Sequence, residues 1–78
     1  MKINLFTKRN CPLCDEAHEI LQEMKHEIPL DIEEIDIYSD DKLLETYQLK
    51  IPVIVSEGKE LDYGKISIET LRQKLKSH

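Results

Sequence analysis

The chain has 78 residues, 35% of them charged and 40% hydrophobic, with a formal charge of −5. That length holds one domain, residues 1–78, around a small core, and the composition is that of an ordinary soluble globular protein. The negative balance, with no long basic cluster against it, argues against general nucleic-acid binding, and no apolar run approaches the ~20 residues of a membrane span.

Ile3-Asn4-Leu5-Phe6-Thr7 alternates as a strand and ends in the polar turn Lys8-Arg9-Asn10. From Leu13 the apolar positions Leu13, Ala17, Ile20, Leu21 and Met24 trace one helical stripe. Pro12 suits the first helical position, because its missing N–H would have no intrahelical partner there. Asp15 and Glu16 favour the positive end of this helix, and Lys25 and His26 the negative end. Pro29 breaks the pattern, and the run from Leu30 to Ile37 reads as a second strand. Its apolar phase slips between Ile32 and Ile35, so either a bulge intervenes or its two halves bury opposite faces.

Ser39 or Asp40 caps a short helix containing Leu43, Leu44 and Tyr47. Ile51-Pro52-Val53-Ile54-Val55 is a third strand, Glu57-Gly58-Lys59 a hairpin turn and Glu60-Leu61-Asp62-Tyr63 a short fourth strand. Ser67 caps a last helix carrying Ile68, Leu71 and Leu75 and finished by Lys74 and Lys76. The order is β-α-β-α-β-β-α. The first strand, helix and second strand form a right-handed parallel unit, and the hairpin completes a four-stranded mixed sheet with helices on both faces.

Both cysteines lie in Cys11-Pro12-Leu13-Cys14, at the first strand–helix junction. Side chains three apart on a helix are neighbours, ~5–6 Å between Cβ atoms, close to what a disulfide needs. As a staple the bridge would be weak: about 2 kcal/mol for a loop of ~4 residues, against ~4.7 for ~100. The pairing favours dithiol–disulfide exchange over architecture. Cys11, nearer the helix N-terminus and more exposed, is the expected nucleophile, with Cys14 as the resolving thiol. Only thiolate attacks a disulfide, and a helix end contributes up to ~2 kcal/mol toward that form. The chain opens without a signal peptide. A cytoplasmic location is therefore expected, and there thiols are kept mainly reduced.

His18 shares a helix face with Cys11 and Cys14. Cys11 and His18 lie ~10.5 Å apart along the axis, a strained span for one ion. His18 therefore reads as a surface residue, and no metal site is assigned. Arg9 reads as plain surface. The acidic run Glu33-Glu34, Asp36 and Asp40-Asp41 reads as a solvated face or helix cap.

With this element order, CPLC at the first strand–helix junction and Ile51-Pro52 leading into the third strand, the chain resembles the thioredoxin superfamily. Within it the likeness is greatest to small glutaredoxin-like proteins with a CxLC motif, and it spans essentially the whole chain. The resemblance implies an α/β thioredoxin/glutaredoxin fold with sheet order 4-3-1-2, strand 3 antiparallel and a cis peptide before Pro52. It implies that the backbone of Ile51 pairs with an extended substrate segment beside the active cysteine, with Pro12, Leu13 and Pro52 around it. Lys8 matches a glutaredoxin lysine that favours thiolate and meets a substrate carboxylate; a solvated turn lysine is the alternative. Gly64 matches one glycine of the pair that helps hold glutathione.

The chain departs from glutathione-handling glutaredoxins at three places. Leu13 replaces the aromatic of CPYC, Lys50-Ile51-Pro52 stands for Thr-Val-Pro, and Tyr63-Gly64 followed by Lys65-Ile66-Ser67 replaces the Gly-Gly and acidic pair. The expected activity is that of a cytosolic, monomeric thiol-disulfide oxidoreductase acting on a disulfide-containing protein or a glutathione mixed disulfide. No cofactor is required, and glutathione or another thiol reductant restores the dithiol. No nucleic-acid or membrane partner is expected. Two other readings stay open: a binding module that uses the groove beside Pro52, and a metal or iron–sulfur carrier that uses the CxxC thiolates, in one chain or shared between two.

Overall fold

The computed structural model describes residues 1–76; Ser77 and His78, which the sequence reading puts in the same domain, lie outside the described residues. The elements are β1 (Lys2–Thr7), α1 (Pro12–Met24), β2 (Asp31–Asp36), a 3-10 turn (Ile37–Ser39), α2 (Asp41–Tyr47), β3 (Val53–Ser56), β4 (Lys59–Tyr63) and α3 (Ile68–Lys76). The strands form one sheet in the order β2-β1-β3-β4. β1 runs parallel to β2 and antiparallel to β3, and β3 is antiparallel to β4. This is the 4-3-1-2 arrangement implied by the resemblance.

Successive strand residues face opposite sides of a sheet, and β1 accordingly serves two cores. Ile3 and Leu5 pack with Ile54 and with Ala17, Leu21, Met24, Leu71 and Leu75 of α1 and α3. Phe6 points the other way, joining Val53, Ile37 and the α2 residues Leu43, Leu44 and Tyr47. Its ring stacks on Tyr47 with centroids 4.5 Å apart.

β2 resolves the phase slip without a bulge. Its pairing with β1 is regular from Lys2 opposite Asp31 to Thr7 opposite Asp36. Ile32 therefore packs on the α1 side and Ile35 on the α2 side. The strand is shorter than the expected 30–37, because the Asp36 carboxylate accepts the Tyr38 N–H at 2.8 Å and starts the 3-10 turn. A register irregularity falls instead between β3 and β4, at Ile54 and Val55.

β3 begins at Val53 rather than Ile51. Pro52 has no N–H to give a ladder. The hairpin turn is Glu57-Gly58, both at positive φ (52° and 78°), as a two-residue type I′ connection requires. Lys59 pairs with Ser56 and so belongs to the strand, not the turn. Asp40 caps α2 by accepting the Lys42 N–H at 2.8 Å, while Ser39 donates to the Asp36 carbonyl. Ser67 accepts the Thr70 N–H at 3.3 Å and caps α3, as expected. Lys25 is the C-cap of α1, with His26 beyond it.

Candidate active site

Asn10 turns the chain out of β1 at φ 54°, a left-handed conformation that asparagine tolerates. Cys11 follows as the N-cap of α1, in extended backbone, and Pro12 occupies the first turn. The Cys14 N–H donates to Cys11 Sγ at 3.2 Å. A helix-terminal donor therefore faces this sulfur, where it favours negative charge. Cys11 and Cys14 are joined in a disulfide, with Cα atoms 5.1 Å apart. The two sulfurs differ in access: Cys14 is 3% exposed, whereas Cys11 is only partly buried. Pro12 is exposed and Leu13 is 38% exposed, so the residues between the cysteines form an open rim.

The Ile51–Pro52 peptide is cis. Phe6 pairs with Val53, so Pro52 lies at the end of the sheet where Thr7 leads into Lys8 and Cys11. Pro52 is fully buried, and Ile51 packs beside Phe6 and Val53. Gly64 secures this segment from behind: its N–H donates to the Pro52 carbonyl at 2.8 Å and the Lys50 carbonyl at 3.0 Å. It does so at φ 70°, where an L-residue is strained. The structure thus assigns Gly64 a backbone role in holding the Pro52 segment.

Lys8 is exposed and shares a cleft of about 440 Å³ with Arg9, Asn10, Asp36 and Tyr38. The cleft forms because β1 and β2 are parallel, with Thr7 opposite Asp36. Their following loops meet at the carboxyl ends of the strands, a common ligand position in α/β sheets. Sequence reasoning had set Arg9 and Asp36 aside and passed over Tyr38, which is 64% exposed. The signal that could have found all three was the parallel β1–α1–β2 unit, which brings the two loops together.

Lys50, standing where glutaredoxins carry threonine, is tied to β4. Its Nζ lies 2.7 Å from Glu60 Oε1 and 4.7 Å from the Tyr63 ring centroid. The hydrogen bond to Glu60 pushes the Lys50 pKa up. His18 Nδ1 lies 2.8 Å from Glu34 Oε1 on the edge strand. Sequence alone gave His18 no partner. Among the described residues, no group of three or more His, Cys, Asp or Glu side chains is placed to hold a metal ion, and no helix is long and apolar enough to cross a membrane.

A mixed four-stranded sheet with a cis-proline segment and a disulfide-capable CxxC pair at the start of its first helix defines a thioredoxin-fold protein. Residues 2–76 match the profile of the glutaredoxin-like domain (DUF836), and the chain belongs to that family. It is 36% identical over 61 residues to proteins named probable thioredoxin in Methanothermobacter marburgensis and Methanothermobacter thermautotrophicus, covering 74% of this chain and 72% of each relative. Among solved structures, protein XcR50 from X. campestris matches with a TM-score of 0.83 at 27% identity, over 97% of both chains. Thioredoxin 1 from Thermosipho africanus matches in fold, with a TM-score of 0.63 at 20% identity over 99% of this chain and 97% of that one.

Proposed function

We propose that the protein is a dithiol–disulfide oxidoreductase in which Cys11 attacks and Cys14 resolves. The observation that carries this reading is the asymmetry of the pair: a partly accessible, helix-capping sulfur bonded to one that is 3% exposed. In the first step Cys11 thiolate bonds to one sulfur of a substrate disulfide and the other sulfur leaves as thiolate. In the second, Cys14 attacks Cys11 Sγ, breaks the mixed disulfide and releases the second substrate thiolate. The Cys11–Cys14 disulfide is the product of that cycle. Two electrons from glutathione, another thiol reductant or a reductase then restore the dithiol.

Protein disulfides and glutathione mixed disulfides are the proposed substrates, handled by a cytoplasmic monomer without a cofactor. Pro12 and Leu13 form the exposed rim they would meet, with the Ile51 backbone beside Pro52 to pair with an extended segment. Lys8 would supply positive charge beside the reacting sulfur. Lys50 has no threonine-like hydroxyl and its ammonium is tied to Glu60, which weighs against a glutathione site built as in glutaredoxins.

The role split is tested by trapping. Cys14→Ser, reduced and mixed with a disulfide substrate, should accumulate a mixed disulfide through Cys11, read by intact-protein mass spectrometry. Cys11→Ser should accumulate none. The opposite pattern would overturn the assignment.

A further inference from the structure

We propose that His18, oriented by Glu34, accepts the proton that Cys14 must lose in the second step; the inference rests on the exchange cycle above. Cys14 is 3% exposed, so bulk water has little access to its thiol. Yet the attacking species must be thiolate. Beneath α1, strand β1 offers the apolar Ile3 and Leu5 on this face. His18 stands one turn along the same helix. Residues four apart have Cβ atoms ~5–6 Å from each other. Helical side chains in general lean back toward the N-terminus, the direction of Cys14 from His18.

Glu34 completes the arrangement from β2. It lies opposite Leu5 in the sheet, on the face that α1 covers, and its Oε1 sits 2.8 Å from His18 Nδ1. Nδ1, paired with the carboxylate by proximity though it donates no hydrogen bond, leaves Nε2 as the nitrogen to take a proton. The His18 side chain is 44% exposed, so a proton taken from the buried thiol can pass on to solvent. Charged neighbours by helix spacing and strand register are Asp15, three residues before His18 on α1, and Asp36, two residues after Glu34 on the same face of β2; Lys8 and Arg9 share a cleft with Asp36 in the loop before Cys11. α3 meets the opposite flank of α1, where Ile68 and Ile20 line one groove.

The step balances. The Cys14 proton moves to Nε2, the freed electron pair forms the Cys14–Cys11 bond, and the Cys11–substrate bond breaks with both its electrons on the leaving sulfur. That thiolate takes a proton from the imidazolium or from water. A base held by a carboxylate is the recurring way of activating a weakly acidic nucleophile.

The test is stopped-flow reaction of reduced protein with Ellman's reagent, which releases one coloured thiolate as Cys11 attacks and a second as Cys14 resolves. That thiolate leaves without needing a proton, so the second phase reports ionisation of Cys14. His18→Gln should keep the first phase and slow the second about tenfold or more at neutral pH, general acid–base assistance contributing typically ~10²–10⁴-fold. It should also remove the imidazole inflection from the second phase's pH profile. Glu34→Gln, which removes the group set against the ring, should slow the second phase while leaving the first unchanged. A second phase of unchanged rate and pH profile in His18→Gln overturns the proposal while leaving the exchange reading intact. A wild-type protein that releases no thiolate overturns the exchange reading, and this inference with it.

Discussion

Replacing Gly64 by alanine separates a backbone role from contact with substrate. Gly64 sits at φ 70°, and a Cβ there would meet nothing within 4 Å. The cost is therefore the conformational preference alone, about 1–2 kcal/mol for an L-residue in the left-handed region. The alanine N–H still reaches the Lys50 and Pro52 carbonyls, so the cis-proline segment keeps its anchor. At roughly 0.05–0.15 kcal/mol per residue, a domain of this length holds about 4–12 kcal/mol, and the variant remains folded. A loss of ~1 kcal/mol moves Tm by ~4–8 °C in a domain of this size, which puts the expected fall at about 4–16 °C. Thermal unfolding by circular dichroism reads the stability of the reduced protein, and turnover of a small disulfide well below Tm reads the site. The expected pair of results is a lowered Tm with near wild-type turnover. An unchanged Tm would refute the strain argument. A folded variant that loses turnover would show that the bare Cα of Gly64 borders the substrate itself.

Two further perturbations probe charge. Glu27 accepts bonds from Arg72 Nε at 3.1 Å and Arg72 Nη2 and Lys76 Nζ at 2.8 Å each, and these partners, Arg72 first, hold its pKa down at about 2. A depressed carboxylate stabilises the fold fully above its unfolded value of ~4.3 and loses that contribution as pH falls toward the folded value. Glu27→Gln should therefore lower the urea midpoint at neutral pH, with the gap to wild type closing between about pH 4 and pH 2; a gap constant with pH would assign the effect to shape rather than charge. Replacing Lys8 and Arg9 together by serine should slow the attack of Cys11 on an anionic disulfide severalfold at low salt, the low end of the ~10–10³-fold range of electrostatic steering. The difference should fade above ~0.1 M salt, where screening acts over ~10 Å, and stopped-flow rates equal to wild type at low salt would remove these cations from the site.

What could be read without the structure depends on local pattern. The stripe Ala17, Leu21 and Met24 placed α1, and Pro12 placed its start, so Cys11 fell at the N-terminus by position alone. The cis peptide before Pro52 came from resemblance, because proline in sequence marks only a chance of cis. Less legible was whatever depends on register between distant strands. The apolar slip from Ile32 to Ile35 allowed two answers, and only the unbroken pairing with β1 chose between them. The same pairing brings Asp36 and Tyr38 to Lys8, and Glu34 to His18, contacts that no local spacing announces.

Net charge shows the same limit at the scale of the whole surface. A formal charge of −5 describes a chain that repels anions on average. Yet Glu16, Glu19 and Glu23 lie together along a groove between α1 and α3, while Lys8 and Arg9 line the cleft at the carboxyl ends of β1 and β2. Fields of exposed charges are screened within about a Debye length, ~8–10 Å at physiological salt. A disulfide arriving at Cys11 therefore meets Lys8 and Arg9 more strongly than Glu19 and Glu23, which lie ~12 and ~18 Å along the axis of α1 from Cys11. The average sign weighs against a polyanionic partner, while Lys8 and Arg9, set in a cleft with Asp36, would favour a substrate that carries negative charge beside its sulfur.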